Sequence, residues 1–139
     1  MLINFSLENI SSFKTTQNIS MEASNLKKDA FLDENLIKNK DKNYVKTAVM
    51  YGANASGKTN LIKSIGKLKQ IVLSSQDLKH NFTTDVTPFL LAVGDVQPSV
   101  FEIIFIENDI KYRYGLATSL GKIEEEWLYF NETSGRDTF

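Results

Sequence analysis

Along the opening residues Leu2 to Ile10, Ile3, Phe5 and Leu7 recur two apart with polar residues between them. That is the period of a strand with one buried face, and Asn9 to Ser12 reads as the turn that ends it. Gln17 to Ala23 reads as a second, weaker strand with Ile19 and Met21 turned inward. From Lys27 to Asn43 charged residues and Asn prevail, so a surface loop is expected, with a short helical turn around Phe31, Leu32, Leu36 and Ile37 as the alternative. Tyr44 to Tyr51 is rich in β-branched and aromatic residues and ends at Gly52, the pattern of a buried strand feeding a glycine loop. Past Gly57 the period changes. Leu61, Ile65, Leu68 and Val72 form one apolar stripe at helical spacing, with Ile62 and Lys69 beside it and Lys63 and Lys67 outside, and the helix should end near Ser74 and Ser75.

Asp77 to Thr84 reads as an exposed connection, and Phe89 to Leu91 as a brief apolar run after Pro88. Alternation returns from Val100 to Ile106, with Phe101, Ile103 and Phe105 on one face and Glu102 on the other. It continues after the turn Glu107 to Asp109 through Ile110, Tyr112, Tyr114 and Leu116, and after the turn Leu120 to Lys122 from Ile123 to Phe130. Three strands joined by tight turns predict an antiparallel meander. No internal repeat or low-complexity segment interrupts this order.

The chain of 139 residues is the size of one domain. Its 42% hydrophobic and 24% charged residues describe a globular chain, and no apolar run reaches the roughly 18 residues a membrane helix needs. The absence of cysteine excludes disulfides, zinc–thiolate sites and a cysteine nucleophile. A cytoplasmic location is expected, with no signal peptide and no membrane partner. A formal net charge of -1 gives no global footprint for nucleic acid.

The chemistry concentrates in Gly52-Ala53-Asn54-Ala55-Ser56-Gly57-Lys58-Thr59, which meets the Walker A pattern at every defined position, with a strand expected before it and a helix after it. A triphosphate crowds several negative charges into a small volume. Holding it takes converging backbone N–H groups, which glycines permit by removing the Cβ, and the positive end of a helix dipole. Lys58 is then placed to reach the β- and γ-phosphates, as binding group and catalytic candidate, and the Thr59 hydroxyl to ligate Mg²⁺. Asn54 and Ser56 are expected to touch phosphate or to order the loop. The alternative, a chance glycine-rich turn, has to reproduce every fixed feature together with both flanks.

Other polar residues carry less. His80, Asp85 and Asp95 fall in loops, and neither aspartate ends a hydrophobic strand as a Walker B residue would. Glu124, Glu125 and Glu126 alternate faces if they lie on a strand, which predicts a charged outer surface. Tyr112, Tyr114, Trp127 and Tyr129 are expected to pack the sheet, with base stacking as the alternative.

Beyond the loop, the chain resembles the N-terminal part of the RloA-type AAA family ATPases, and its loop resembles those of the ABC-type ATPases related to SMC, RecF and the OLD nucleases. The resemblance lies in Ile3 to Asn9 with Ser12-Phe13-Lys14, in Met50 to Leu61, and in Pro88-Phe89-Leu90, Phe101-Glu102-Ile103, Tyr112 to Gly115 and Glu126 to Tyr129. It implies an α/β fold: the N-terminal lobe (residues 1–139) of an ABC-type P-loop NTPase head, with strand, P-loop, helix and antiparallel β meander. It implies a nucleotide contact set running through Asn60, ATP and Mg²⁺ as cofactors, and heads that pair to sandwich ATP, as in a homodimer. A nuclease or DNA partner is implied by family analogy alone. In related proteins the turn after the first strand carries an Arg or Lys near the nucleotide; here Ser11 stands at that position, so the contact is lost or passes to Lys14. No Walker B or signature element is legible, so the chain is expected to be a lobe that binds ATP and hydrolyses it only when the rest is supplied. Two other classes remain: a self-sufficient small P-loop kinase or GTPase, although no guanine-reading motif is present, and a DNA-binding structural module.

Overall fold

The structure is a computed structural model that describes residues 1–24, 32–39, 42–75, 83–91 and 97–132. Strand β1 (Leu2–Glu8) buries Ile3, Phe5 and Leu7 and turns the residues between them away from the core, as its period predicts. It pairs antiparallel with β2 (Gln17–Ser20) on one side and with β5 (Ser99–Glu107) on the other. β6 (Ile110–Ser119) and β7 (Lys122–Glu132) complete a five-stranded sheet in the order β2-β1-β5-β6-β7. The expected meander is present. The finding beyond it is that the opening strand forms its outer neighbour, so the two ends of the described chain share one sheet.

Both tight turns take left-handed backbone: Asn108 (φ 49°) and Asp109 (φ 61°), which tolerate it, between β5 and β6, and Leu120 (φ 49°), which does not favour it, with Gly121 (φ 79°), which does, between β6 and β7. Helix α2 (Lys58–Ser74) lies against one face of the sheet. Leu61, Leu68 and Ile71 pack with Phe5, Leu7, Ile10, Phe101 and Leu116 in the core, with Ile65 and Val72 at its margin. Phe5, Leu7, Ile71, Phe101 and Leu116 are almost wholly buried, and each such side chain contributes roughly 1.5–3 kcal/mol of transfer free energy. Ser64 also faces inward, its hydroxyl donating to Asn60 O at 2.7 Å. Lys67, expected outside, is only partly exposed and pairs with Asp85 at 3.2 Å.

Two expectations need correction. The segment read as a surface loop contains a short helix α1 (Leu32–Asn35) and a strand β3 (Leu36–Lys38), which pairs with β4 (Asn43–Val45) in a separate two-stranded sheet. Its anchor is Tyr44, which is buried. The buried strand expected over Tyr44 to Tyr51 ends at Val45. Val49 is 83% exposed and Tyr51 91%, and among the described residues no backbone hydrogen bond joins Thr47–Tyr51 to a strand. β-Branched and aromatic composition encodes a strand that fits between neighbours, and none of the described strands stands beside this one. Phe31, the connection at 76–82 with His80, and Asp95 lie outside the described residues. No helix among the described residues is long and apolar enough to cross a membrane.

Candidate functional site

The expected loop residues sit consecutively at the mouth of α2. Gly52, Ala53, Asn54, Ala55 and Ser56 are exposed, and Gly57 is the N-cap. Two left-handed residues, Ala55 (φ 62°) and Gly57 (φ 94°), curl the loop. A weak internal bond closes it, Ser56 N–H donating to Ala53 O at 3.3 Å. At Gly52 a Cβ would lie 3.2 Å from Ser56 Oγ, so the two sides of the curl approach as closely as a glycine allows.

The first intrahelical bond of α2 runs from Leu61 N–H to Gly57 O at 3.0 Å. The N–H groups of Lys58, Thr59 and Asn60 therefore have no carbonyl within the helix, and among the described residues they find no other backbone acceptor. No side chain caps them, and the first turn carries no acidic residue. An uncapped helix start without a carboxylate leaves the positive end of its dipole open to an outside anion.

Lys58 folds back over the loop. Its Nζ donates to Gly52 O at 2.8 Å, Ala53 O at 2.7 Å and Ser56 Oγ at 3.3 Å. An ammonium has three donors, so the loop's own oxygens take all three and fix the charge above the curl. Thr59 is exposed on the first turn with its hydroxyl available. Asn60, expected among the contacts, donates through Nδ2 to Ser12 Oγ at 3.0 Å.

Among the described residues no three His, Cys, Asp or Glu side chains converge. A single hydroxyl, Thr59, is what Mg²⁺ takes from a protein when phosphate oxygens and waters complete its octahedron. The residues fit a metal that arrives with a polyphosphate and not one held by protein alone.

Sequence reasoning missed the neighbours that shape the loop. The ring of Phe13 lies against Gly57, with Cζ 2.7 Å from where a Cβ would stand. The turn bearing Phe13 is built on Asn9, which is buried and left-handed (φ 52°). Its Nδ2 donates to Gln97 O at 2.6 Å, its Oδ1 accepts from Phe89 N–H at 3.2 Å, and its carbonyl accepts from Ser99 Oγ at 2.6 Å. The glycine of the loop motif was the available signal, since a glycine at a helix N-cap invites the question of what fills the space its side chain leaves. Lys14 is exposed beside this turn, and Ser11 (φ 52°) is tied through its N–H to Thr87 O at 2.9 Å.

The remaining candidates do not join the loop. Glu102 accepts from Arg113 Nε at 2.9 Å and from Trp127 Nε1 at 3.2 Å on the sheet face opposite α2, beside an open groove of about 830 Å³. Glu124 and Glu125 line the same groove, which sets carboxylates next to the one tryptophan and disfavours a nucleic-acid backbone there. Tyr112 stacks on Phe105 at a ring centroid distance of 5.2 Å and meets Phe130 tilted at 6.3 Å, so it packs within the sheet. Tyr114 donates to Glu126 Oε1 at 2.7 Å. Burial, then this hydrogen bond, then the carboxylate's charge hold its phenol well above the ordinary tyrosine range.

A curled glycine loop at an open helix start, set on a mixed α/β scaffold with an antiparallel sheet, defines a P-loop NTPase-like protein. The chain belongs to the family described as "AAA domain, putative AbiEii toxin, Type IV TA system", which it matches over residues 48–139, about two thirds of its length. The matched range begins at Ala48 and takes in the loop, α2 and the meander, while β1, β2 and the turn at Phe13 lie before it. No curated protein and no solved structure matches the chain.

Proposed function

We propose that the chain binds ATP with Mg²⁺ through Gly52 to Asn60 and forms the N-terminal lobe of an ABC-type ATPase head. The observation that carries this reading is the group of three unpartnered N–H groups at Lys58, Thr59 and Asn60 under an ammonium already poised over the loop. The phosphates take the place of Gly52 O and Ala53 O as acceptors for Lys58, the helix amides approach the β-phosphate, and Thr59 offers its hydroxyl to the metal. Phosphoryl transfer depends almost wholly on positioning and charge stabilisation. A metal-binding aspartate, a residue to orient water and a second head are therefore still required for hydrolysis.

The exposed apolar segment Ala48–Tyr51 supports the incomplete-lobe reading. Its composition suits a central strand, and neighbouring strands from a C-terminal lobe would cover Val49 and Tyr51. In this reading the head works in the cytoplasm, two heads meet across ATP, and a nuclease or DNA partner belongs to the assembled machine and not to this lobe.

Titration calorimetry with Mg·ATP tests the site. The parent chain should bind and Lys58→Ala should weaken binding at least about tenfold, the worth of one or more charge-assisted hydrogen bonds. Equal binding by the two proteins would remove Lys58 from the site, and no binding by the parent would end the proposal.

A further inference from the structure

The loop has an unusual support. On its N-terminal side, Thr47–Tyr51 joins no strand among the described residues, and the bonds of Ser56 and Lys58 run within the loop itself. What connects it to the sheet lies on the helix side, at the turn after β1. There the Phe13 ring occupies the space of a Gly57 side chain, with Cζ and Cε1 2.7 and 2.9 Å from a Cβ position and Ser12 Oγ at 3.1 Å. One residue before Phe13, Ser12 Oγ accepts from Asn60 Nδ2 at 3.0 Å. The turn is firm enough to act as a support: Ile10 and Phe13 exchange backbone bonds at 2.9 and 2.8 Å, Ser11 N–H is held by Thr87 O, and Asn9 is fixed from three sides.

We infer that Ser12 and Phe13, with Asn60 as their partner on α2, are positioning residues that hold the phosphate loop in its binding shape. The inference rests on the ATP-site reading and deepens it. Phe13 fills the space a side chain at position 57 would take, and with the left-handed backbone there (φ 94°) it favours glycine and the turn that presents the first helix amides. The Ser12–Asn60 bond holds the first turn of α2 at that angle. Asn60 acts through Ser12, because its amide is spent on that hydroxyl. The clamp is contributed from before residue 48, by a part of the chain the family match does not cover.

The test compares the parent chain with Ser12→Ala, Asn60→Ala and the double variant by calorimetry with Mg·ATP. Amide hydrogen exchange is followed at Leu61, the first N–H of the helix ladder. Each single change should weaken binding about three- to tenfold, the range for one lost hydrogen bond, and the double variant no more than the weaker single. Leu61 should exchange faster in the nucleotide-free variants while Leu68 and Ile71 keep their protection. Faster exchange at all three would mark a general loss of structure and overturn the local role. Phe13→Leu provides a second arm, and if it fails to fold the serine and asparagine variants decide. Variants that bind as the parent does would overturn the clamp and leave the site reading intact. Additive losses would also overturn it, by making Asn60 a direct contact. A parent that binds no Mg·ATP would remove the site and the clamp together.

Discussion

Replacing Gly57 by alanine is the sharpest perturbation the structure offers, because two independent costs fall on one methyl group. The residue sits at φ 94°, beyond the small left-handed region open to L-residues, where occupancy costs roughly 1–2 kcal/mol or more. The added Cβ would stand 2.7 and 2.9 Å from two carbons of the Phe13 ring, and forcing such an overlap typically costs about 1–3 kcal/mol. Together they come to about 2–5 kcal/mol, a large share of the roughly 5–15 kcal/mol that holds a domain folded. For a chain of this size that lowers the thermal midpoint by on the order of 10 °C. The overlap can be relieved by a shift of the partly buried Phe13 ring or by the backbone leaving the left-handed turn, and the second redirects the loop and should weaken nucleotide binding. Gly66→Ala is the matched control. It lies inside α2 with nothing within 4 Å of its Cβ position, and alanine there should stabilise by about 0.5–1 kcal/mol. Thermal unfolding of both variants, with calorimetry on Gly57→Ala, reads the difference. A Gly57→Ala chain that melts with the parent and binds Mg·ATP equally well would refute the packing of Phe13 on the loop.

Asn9→Ala should cost about 2–4 kcal/mol in urea unfolding, because it leaves Gln97 O and Phe89 N–H without their partner and puts alanine at φ 52°. Asn9→Gly should recover part of that loss by relieving the backbone. Gly115→Ala should destabilise the sheet, since its Cβ would overlap the Trp127 ring, and a red shift of the single tryptophan's emission, as the ring is displaced into water, should accompany the lower midpoint. Tyr114 is protonated more tightly in the folded chain than in the unfolded one. Its contribution to stability is therefore complete below the ordinary tyrosine value near pH 10 and falls away as the pH rises above it. The drop in thermal midpoint between about pH 9 and pH 11 should be smaller in Tyr114→Phe than in the parent, and an equal drop in both would remove the effect.

Much of the fold was legible because its elements satisfy themselves locally or through a clear period. The stripe Leu61, Ile65, Leu68 and Val72 needs only an apolar surface on one side, and the sheet supplies it. The turns at Asn108-Asp109 and Leu120-Gly121 fix the meander from within, since Asn108, Asp109 and Gly121 accept left-handed backbone without help from elsewhere. The curl from Gly52 to Gly57 was legible in its glycines and its lysine, whose bonds run within the loop, but the support it takes from the turn at Phe13 was not. The pairing of β1 with β5 was not, because alternation states which face is buried and not which strand lies beside it. Nor was Phe13, whose contact with Gly57 depends on two segments more than forty residues apart in sequence meeting in space.

The segment from Tyr44 to Tyr51 shows most clearly what a sequence pattern can and cannot encode. A helix closes its hydrogen bonds on itself, so a helical period in a sequence is already most of a helix. A strand is half of a pair, and Val49, Met50 and Tyr51 have the side chains of a central strand without a described neighbour to accept their N–H groups. Exposure of such a row is costly in apolar surface and invites pairing with another edge. The same row leads directly into the loop at Gly52, so any strands that flanked it would also set the direction from which Gly52 enters the curl. Among the described residues the loop is fixed from one side alone, where Phe13 and Ser12 meet Gly57 and Asn60. Nucleotide affinity should then respond to that turn more strongly than it would in a loop already buttressed by a sheet on its other flank.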